Sequence, residues 1–255
     1  MQDIQQAFVD KGRTRIVDFL DKGIQKGKTT QAQKDALLAN LVTTVDLAAA
    51  ARDADLVIEA IPEQLTLKQE LFDTLGALCR DDTVFATNTS SLALGDIFKT
   101  TKFAARCLGT HFFNPPPLMP LLELVKLART SELTITRLQT FAKQIGKEPI
   151  LVKDTPGFAS SRLGVALGLE AIRMVEAGVA SPEDIDKAMT LGYGHPMGPL
   201  RTSDLVGLDV RMAIAEYLFE KLGNPTFRVP QLMRDMVARG HLGRKTGKGF
   251  YTWDK

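Results

Sequence analysis

Asp55-Leu56-Val57-Ile58-Glu59-Ala60-Ile61 is the stretch from which the fold is read. Its apolar residues do not alternate with polar ones, so a strand here is expected to be covered on both faces. Strands of that kind belong to sheets flanked by helices. Downstream, residues 65–78 place apolar side chains at 65, 67, 71, 75 and 78 and read as a helix, and residues 83–86 read as the next strand. The alternation continues with strands at 107–112, 121–125 and 149–152, and with a helix over 132–144 that stops at Ile145-Gly146-Lys147. Upstream, residues 4–24 and 31–41 read as helices, the first running into the basic turn from Lys22 to Lys28. Strands separated by helices of this size predict an α/β fold with a doubly wound, mainly parallel sheet.

After Lys153 the texture changes. Asp154-Thr155-Pro156-Gly157 is a turn that also starts a helix, with Thr155 as cap and Pro156 in the first turn. Apolar residues follow helical spacing over 158–177, Ser181-Pro182-Glu183-Asp184 opens another helix, and two more read at 201–222 and 230–239. A short strand is expected only at the end, in Gly249-Phe250-Tyr251-Thr252-Trp253. The expected organisation is a sheet domain over residues 1–153 and an all-helical domain over 154–255.

The totals narrow the functional classes. A formal net charge of +2 gives no basis for a nucleic-acid or membrane-surface partner. No apolar run reaches the ~18 residues of a membrane span. Cys79 and Cys107 lack metal-ligand spacing, so no metal site is expected and both read as reduced thiols of a cytoplasmic protein. The opening Met1-Gln2-Asp3-Ile4-Gln5-Gln6 has no secretory character.

Chemistry concentrates at the predicted strand ends. His111 lies on an apolar run, in Leu108-Gly109-Thr110-His111-Phe112-Phe113-Asn114-Pro115, and twelve residues later Glu123 interrupts Leu121-Leu122-Glu123-Leu124-Val125. Ala86-Thr87-Asn88-Thr89-Ser90-Ser91 adds hydroxyls. An imidazole titrates near neutral pH and suits a general base, and a carboxylate inside an apolar run needs a cationic or donor partner. Open α/β sheets place ligands at such strand ends. Read blandly, the same residues are a hydrogen-bonded core histidine, a strand-end carboxylate and turn or cap hydroxyls.

Five ordered motifs carry a family resemblance: Asn88-Thr89-Ser90-Ser91, His111-Phe112-Phe113-Asn114-Pro115, Asp154-Thr155-Pro156-Gly157-Phe158, His195-Pro196-Met197-Gly198-Pro199 and Gly243-Arg244-Lys245-Thr246-Gly247-Lys248-Gly249-Phe250-Tyr251. Together they resemble the short-chain L-3-hydroxyacyl-CoA dehydrogenases, including 3-hydroxybutyryl-CoA dehydrogenases, over essentially the whole chain. The resemblance implies a Rossmann-like NAD-binding domain, a helical domain that makes a homodimer, NAD as cofactor and an acyl-CoA as substrate. It assigns His111 as catalytic base, Glu123 as its orienting carboxylate and Ser90 as the hydroxyl on the substrate's 3-oxygen near the nicotinamide. It further implies cofactor contacts at Asp3, Glu63, Lys68, Asn114 and Lys245, and a CoA-phosphate contact at Lys26.

Two departures stand out. Many relatives carry asparagine where this chain has Ser161, in Pro156-Gly157-Phe158-Ala159-Ser160-Ser161-Arg162; a hydroxyl reaches less far than an amide. The strand, G-x-G-x-x-G turn and helix that open a Rossmann domain are missing as well. Met1-Gln2-Asp3 then corresponds to the end of the second Rossmann strand, and the 255 residues are expected to bind NAD weakly. Two alternatives follow: a non-catalytic or cofactor-deficient shortened homologue, and a sugar-acid dehydrogenase of the same superfamily.

Overall fold

The computed structural model describes residues 1–90 and 92–254; Ser91, the last hydroxyl of the Asn88 motif, lies outside the described residues. Three helices come first, α1 (Gln6–Gln25), α2 (Gln31–Ala39) and α3 (Leu47–Ala51). A capping box between Thr30 and Gln33 starts α2, and the Asp46 carboxylate caps α3. Then follow β1 (Leu56–Glu59), α4 (Leu65–Leu78), β2 (Val84–Thr87), α5 (Leu94–Ile97), β3 (Cys107–Phe112), β4 (Leu121–Lys126), α6 (Glu132–Gln144) and β5 (Glu148–Lys153). The short helices α3 and α5 escape the periodicity reading, being too brief to show a period.

The five strands form one sheet in the order β1-β2-β3-β4-β5. Pairing is parallel from β1 to β3, antiparallel between β3 and β4, and parallel again between β4 and β5. The reversal has a simple cause. Only residues 113–120 connect β3 to β4, which is shorter than the crossover a parallel pair needs.

Both faces of the sheet are covered, as an α/β fold requires. Phe72, Phe85, Leu94 and Phe98 form the core under α4 and α5, while Val84, Ala86, Leu108, Leu122 and Leu138 form the core under α6. Alternate residues of β2 thus serve opposite cores, and the whole strand is buried. The first strand is less covered than its sequence predicts. Among the described residues it pairs with β2 alone; Leu56 and Val57 are half-buried and Ile58 is exposed. The parallel bridge between Gln2 and Thr44 stands apart from the sheet.

Past β5 the chain is helical: α7 (Ser160–Glu176), α8 (Pro182–Gly192), α9 (Pro199–Val206), α10 (Leu208–Leu222) and α11 (Gln231–Ala238). Leu169, Ile172, Leu200, Leu208, Leu218 and Met233 are fully buried at its centre. The single helix expected over 201–222 is two helices. Gly207 at φ 102° is their joint, a conformation no other residue type adopts cheaply. The expected strand at 249–253 is not a strand; its backbone makes isolated bridges, and the buried Asp204 carboxylate gathers it by accepting from the Phe250 and Tyr251 amides and from Trp253 Nε1.

Candidate active site

The antiparallel register of β3 and β4 sets His111 directly opposite Glu123. Residues so paired bring their side chains together on one face. His111 Nδ1 lies 2.7 Å from Glu123 Oε2. Glu123 is fully buried, yet its carboxylate is well supplied with donors. Ser160 Oγ donates to Oε2 at 2.6 Å, while the backbone amides of Ser160 and Ala159 donate to Oε1 at 2.9 and 3.2 Å. Those amides belong to the N-terminus of α7, where a negative charge is favoured. Burial alone would push the Glu123 carboxyl up, but the hydrogen bonds from His111 and Ser160 outweigh it and hold the group below its usual range.

An ionised Glu123 fixes the tautomer. Nδ1 must carry the proton it shares with the carboxylate, which leaves the Nε2 lone pair as the acceptor. The ring is 8% exposed and sits 4.8 Å from the Phe113 ring and 5.7 Å from the Phe158 ring. Phe158 adopts φ 48°, the one left-handed non-glycine residue among those described.

Ser90 follows β2, and His111 lies two residues past the paired Thr87–Gly109 position, so both stand at the same edge of adjacent parallel strands. Ser90 is exposed, and its amide donates to Glu63 Oε1 at 3.1 Å, as does Thr89 Oγ at 2.5 Å. Lys68 Nζ is 3.2 Å from Glu63 Oε2 and 2.6 Å from Glu59 Oε1. Glu59 also accepts from Thr87 Oγ and the Ile61 amide at 2.6 and 2.7 Å. With its side chain 1% exposed, Lys68 is an interior cation between two carboxylates. Asn88 closes the edge, its amide donating to Glu59 O and its Oδ1 accepting from the Phe112 amide.

Other candidates lie elsewhere. Ser161 is half-buried on α7 and its hydroxyl makes no hydrogen bond among the described residues; the neighbouring Ser160 reaches Glu123 instead. Sequence reasoning passed over Ser160, and also Glu59 and Asn88. A pair of serines at a helix start gives no sign of which one faces inward. Asn114 is exposed two residues past β3. Asp3 accepts from the Ile4 amide beside the Gln2–Thr44 bridge, and Lys26 is exposed just after α1. Lys245 Nζ donates to Asp209 Oδ2 at 2.6 Å within the helical part, and that bond keeps the Asp209 carboxyl below its ordinary value. The structure therefore brings His111, Glu123, Glu63 and Ser90 to one strand edge; no contact recorded among the described residues joins Asp3, Lys26 or Lys245 to them.

A helix-flanked sheet with a buried imidazole–carboxylate pair at its strand ends, closed by the first turn of a helical unit, has the form of an α/β oxidoreductase acting on a hydroxyl or carbonyl. The chain belongs to the 3-hydroxyacyl-CoA dehydrogenase family: residues 1–155 match the family's NAD binding domain and residues 157–253 its C-terminal domain. The 3-hydroxybutyryl-CoA dehydrogenase of Mycobacterium tuberculosis (strain ATCC 25618 / H37Rv) is 44% identical over 250 residues, covering 97% of this chain and 87% of the relative. The mitochondrial hydroxyacyl-coenzyme A dehydrogenase of Rattus norvegicus is 45% identical over 258 residues, covering 98% and 82%. The crystal structure of (S)-3-hydroxybutyryl-CoA dehydrogenase PaaH1 from Ralstonia eutropha superposes with a TM-score of 0.95 at 40% identity, covering 100% of this chain and 90% of that one. NAD is the cofactor of this family's first domain, and the strand edge offers polar groups that suit it: a partly exposed carboxylate at Glu63, able to accept from ribose hydroxyls, and the exposed Ser90.

Proposed function

We propose that this chain oxidises L-3-hydroxyacyl-CoA, such as 3-hydroxybutyryl-CoA, to the 3-ketoacyl-CoA, reversibly and with NAD. NAD, when bound, supplies the hydride acceptor. His111 Nε2 takes the proton of the substrate's 3-hydroxyl, and Glu123 stabilises the imidazolium that results. Ser90 donates a hydrogen bond to the reacting oxygen. Glu63, held by Lys68, and Asn114 contact the nicotinamide side, Asp3 the adenosine ribose, and Lys26 a CoA phosphate. The support for Glu123 comes from Ser160; Ser161 faces the substrate without touching the carboxylate. Lys245, held by Asp209, is assigned to a further cofactor contact.

One observation carries this reading: the 2.7 Å contact between His111 Nδ1 and a fully buried, ionised Glu123 leaves Nε2 as a base. The large apolar side chains exposed on the helical unit, Leu191 (82%) and Tyr193 (78%), support a homodimer formed through it. Unpaired Cys79 and Cys107 suit the reducing cytoplasm. The division into residues 1–153 and 154–255 gives the sheet to cofactor binding and the helices to substrate and dimer contacts. An assay of NAD reduction with (S)-3-hydroxybutyryl-CoA, free 3-hydroxybutyrate and L-gulonate tests the proposal. Turnover of the thioester, lost in His111→Ala, is expected; preference for a free acid would replace it with the sugar-acid reading.

A further inference from the structure

Arg211 is an anomaly of the helical unit. It lies in the second turn of α10, is 6% exposed, and enters no ion pair among the described residues. The nearest acid in sequence, Asp209, is engaged by Lys245. One guanidinium nitrogen, Nη1, donates to the Gly164 carbonyl of α7, and Nε has no partner. Burial pulls its pKa down to about 10, in the direction expected of a cation short of counter-charge. Gly168 of α7 passes close to it: a Cβ there would fall 2.3 Å from Nη1, so a larger residue would require the guanidinium to move. An interior cation is expensive to keep without an anion, which makes a missing partner the economical reading.

Beside Arg211 is a cavity of about 290 Å³. His195 and Thr202 share its wall, and Leu163, Leu167 and Met197 make the rest largely apolar. A single buried cation matches a single negative charge, and the apolar wall matches a hydrocarbon. A phosphate would bring a second charge with no second buried cation to meet it.

We propose that this cavity binds a small aliphatic carboxylate of the butanoate-to-hexanoate class, its carboxylate on Arg211 and its chain along Leu163, Leu167 and Met197. Neither His111 nor Glu123 lines this cavity, and its occupation does not depend on the reaction proposed above. Its wall on α7 nevertheless begins one turn after Ser160, the residue that holds Glu123.

Isothermal titration of the full chain with sodium hexanoate tests this, against 1-hexanol, hexylammonium chloride and sodium sulfate at matched ionic strength. Hexanoate is expected to saturate one site per chain, with each comparison ligand at least tenfold weaker. Arg211→Met keeps the volume and removes the charge; Leu167→Trp keeps the charge and fills the cavity. Each is expected to weaken hexanoate at least tenfold, and the second decides the matter if the first does not fold. Hexanoate binding indifferent to both variants, or sulfate binding as tightly as hexanoate, overturns the proposal. Absence of saturable binding overturns it too. If, in that case, Arg211→Met also turned a dimer into monomers by light scattering, the counter-charge would belong to a second copy of the chain.

Discussion

Ser160 Oγ donates at 2.6 Å to the same oxygen of Glu123 that faces His111 Nδ1 at 2.7 Å. One atom of a sheet residue thus receives both the base and the first turn of α7. The carboxylate is not complete as a partner for His111 until the helical unit is docked on the sheet.

Ser160→Ala is therefore expected to lower kcat about tenfold with little change in KM, the scale of one hydrogen bond to a charged group. Ser161→Ala, which removes no hydrogen bond to Glu123, is expected to lower kcat less than Ser160→Ala does. Steady-state kinetics of the two variants side by side is the check; equal losses would mean that the serines share the role.

His111→Ala is expected to reduce kcat by about 10²–10⁴ in both directions while circular dichroism stays unchanged. Oxidation requires the imidazole unprotonated and reduction requires it protonated. The loss is read from kcat measured with the hydroxyacyl substrate and, separately, with the ketoacyl substrate.

Glu123→Gln probes linkage. The Glu123 carboxyl titrates lower in the fold than its ordinary value of 4.5. The unfolded chain therefore binds more protons across that window, so the stabilisation is fully present above 4.5 and is lost as pH falls through the lowered folded value. Urea midpoints should show the largest deficit for Glu123→Gln near neutral pH, and the gap should narrow on acidification below pH 4. A constant gap would mean that the charge contributes nothing.

Lys68→Met leaves Glu59 buried without its cation and is expected to cost about 3–5 kcal/mol in denaturant unfolding. Adding Glu59→Gln to Lys68→Met should restore part of that loss, because the uncompensated charge is gone. Kinetically, the single variant is expected to raise the KM for NAD through the Glu63 loop.

Much of this arrangement was legible in the chain and some was not, for identifiable reasons. The apolar run around Val57 pointed to a helix-flanked sheet, although that strand itself is less covered than expected, and the family resemblance drew attention to His111 and Glu123. Their face-to-face register was also readable in principle, because the link over residues 113–120 is too short for a parallel return. Lys68 was not legible: in sequence it is an ordinary lysine on a helix, and only the approach of Glu59 from β1 makes it an interior cation. The break of 201–222 at Gly207 was missed because apolar spacing runs through it. The tail at 249–253 looked like a strand because its aromatics, gathered around Asp204, imitate β composition.

Phe158 holds a left-handed backbone while its buried ring packs 5.7 Å from that of His111. A side chain there costs about 1–2 kcal/mol relative to glycine's freedom. Glycine would relax the backbone but admit water onto the base. Selection for robustness and selection for turnover thus pull in opposite directions at one position, and a screen for heat-tolerant variants that ignores activity should drift away from phenylalanine there.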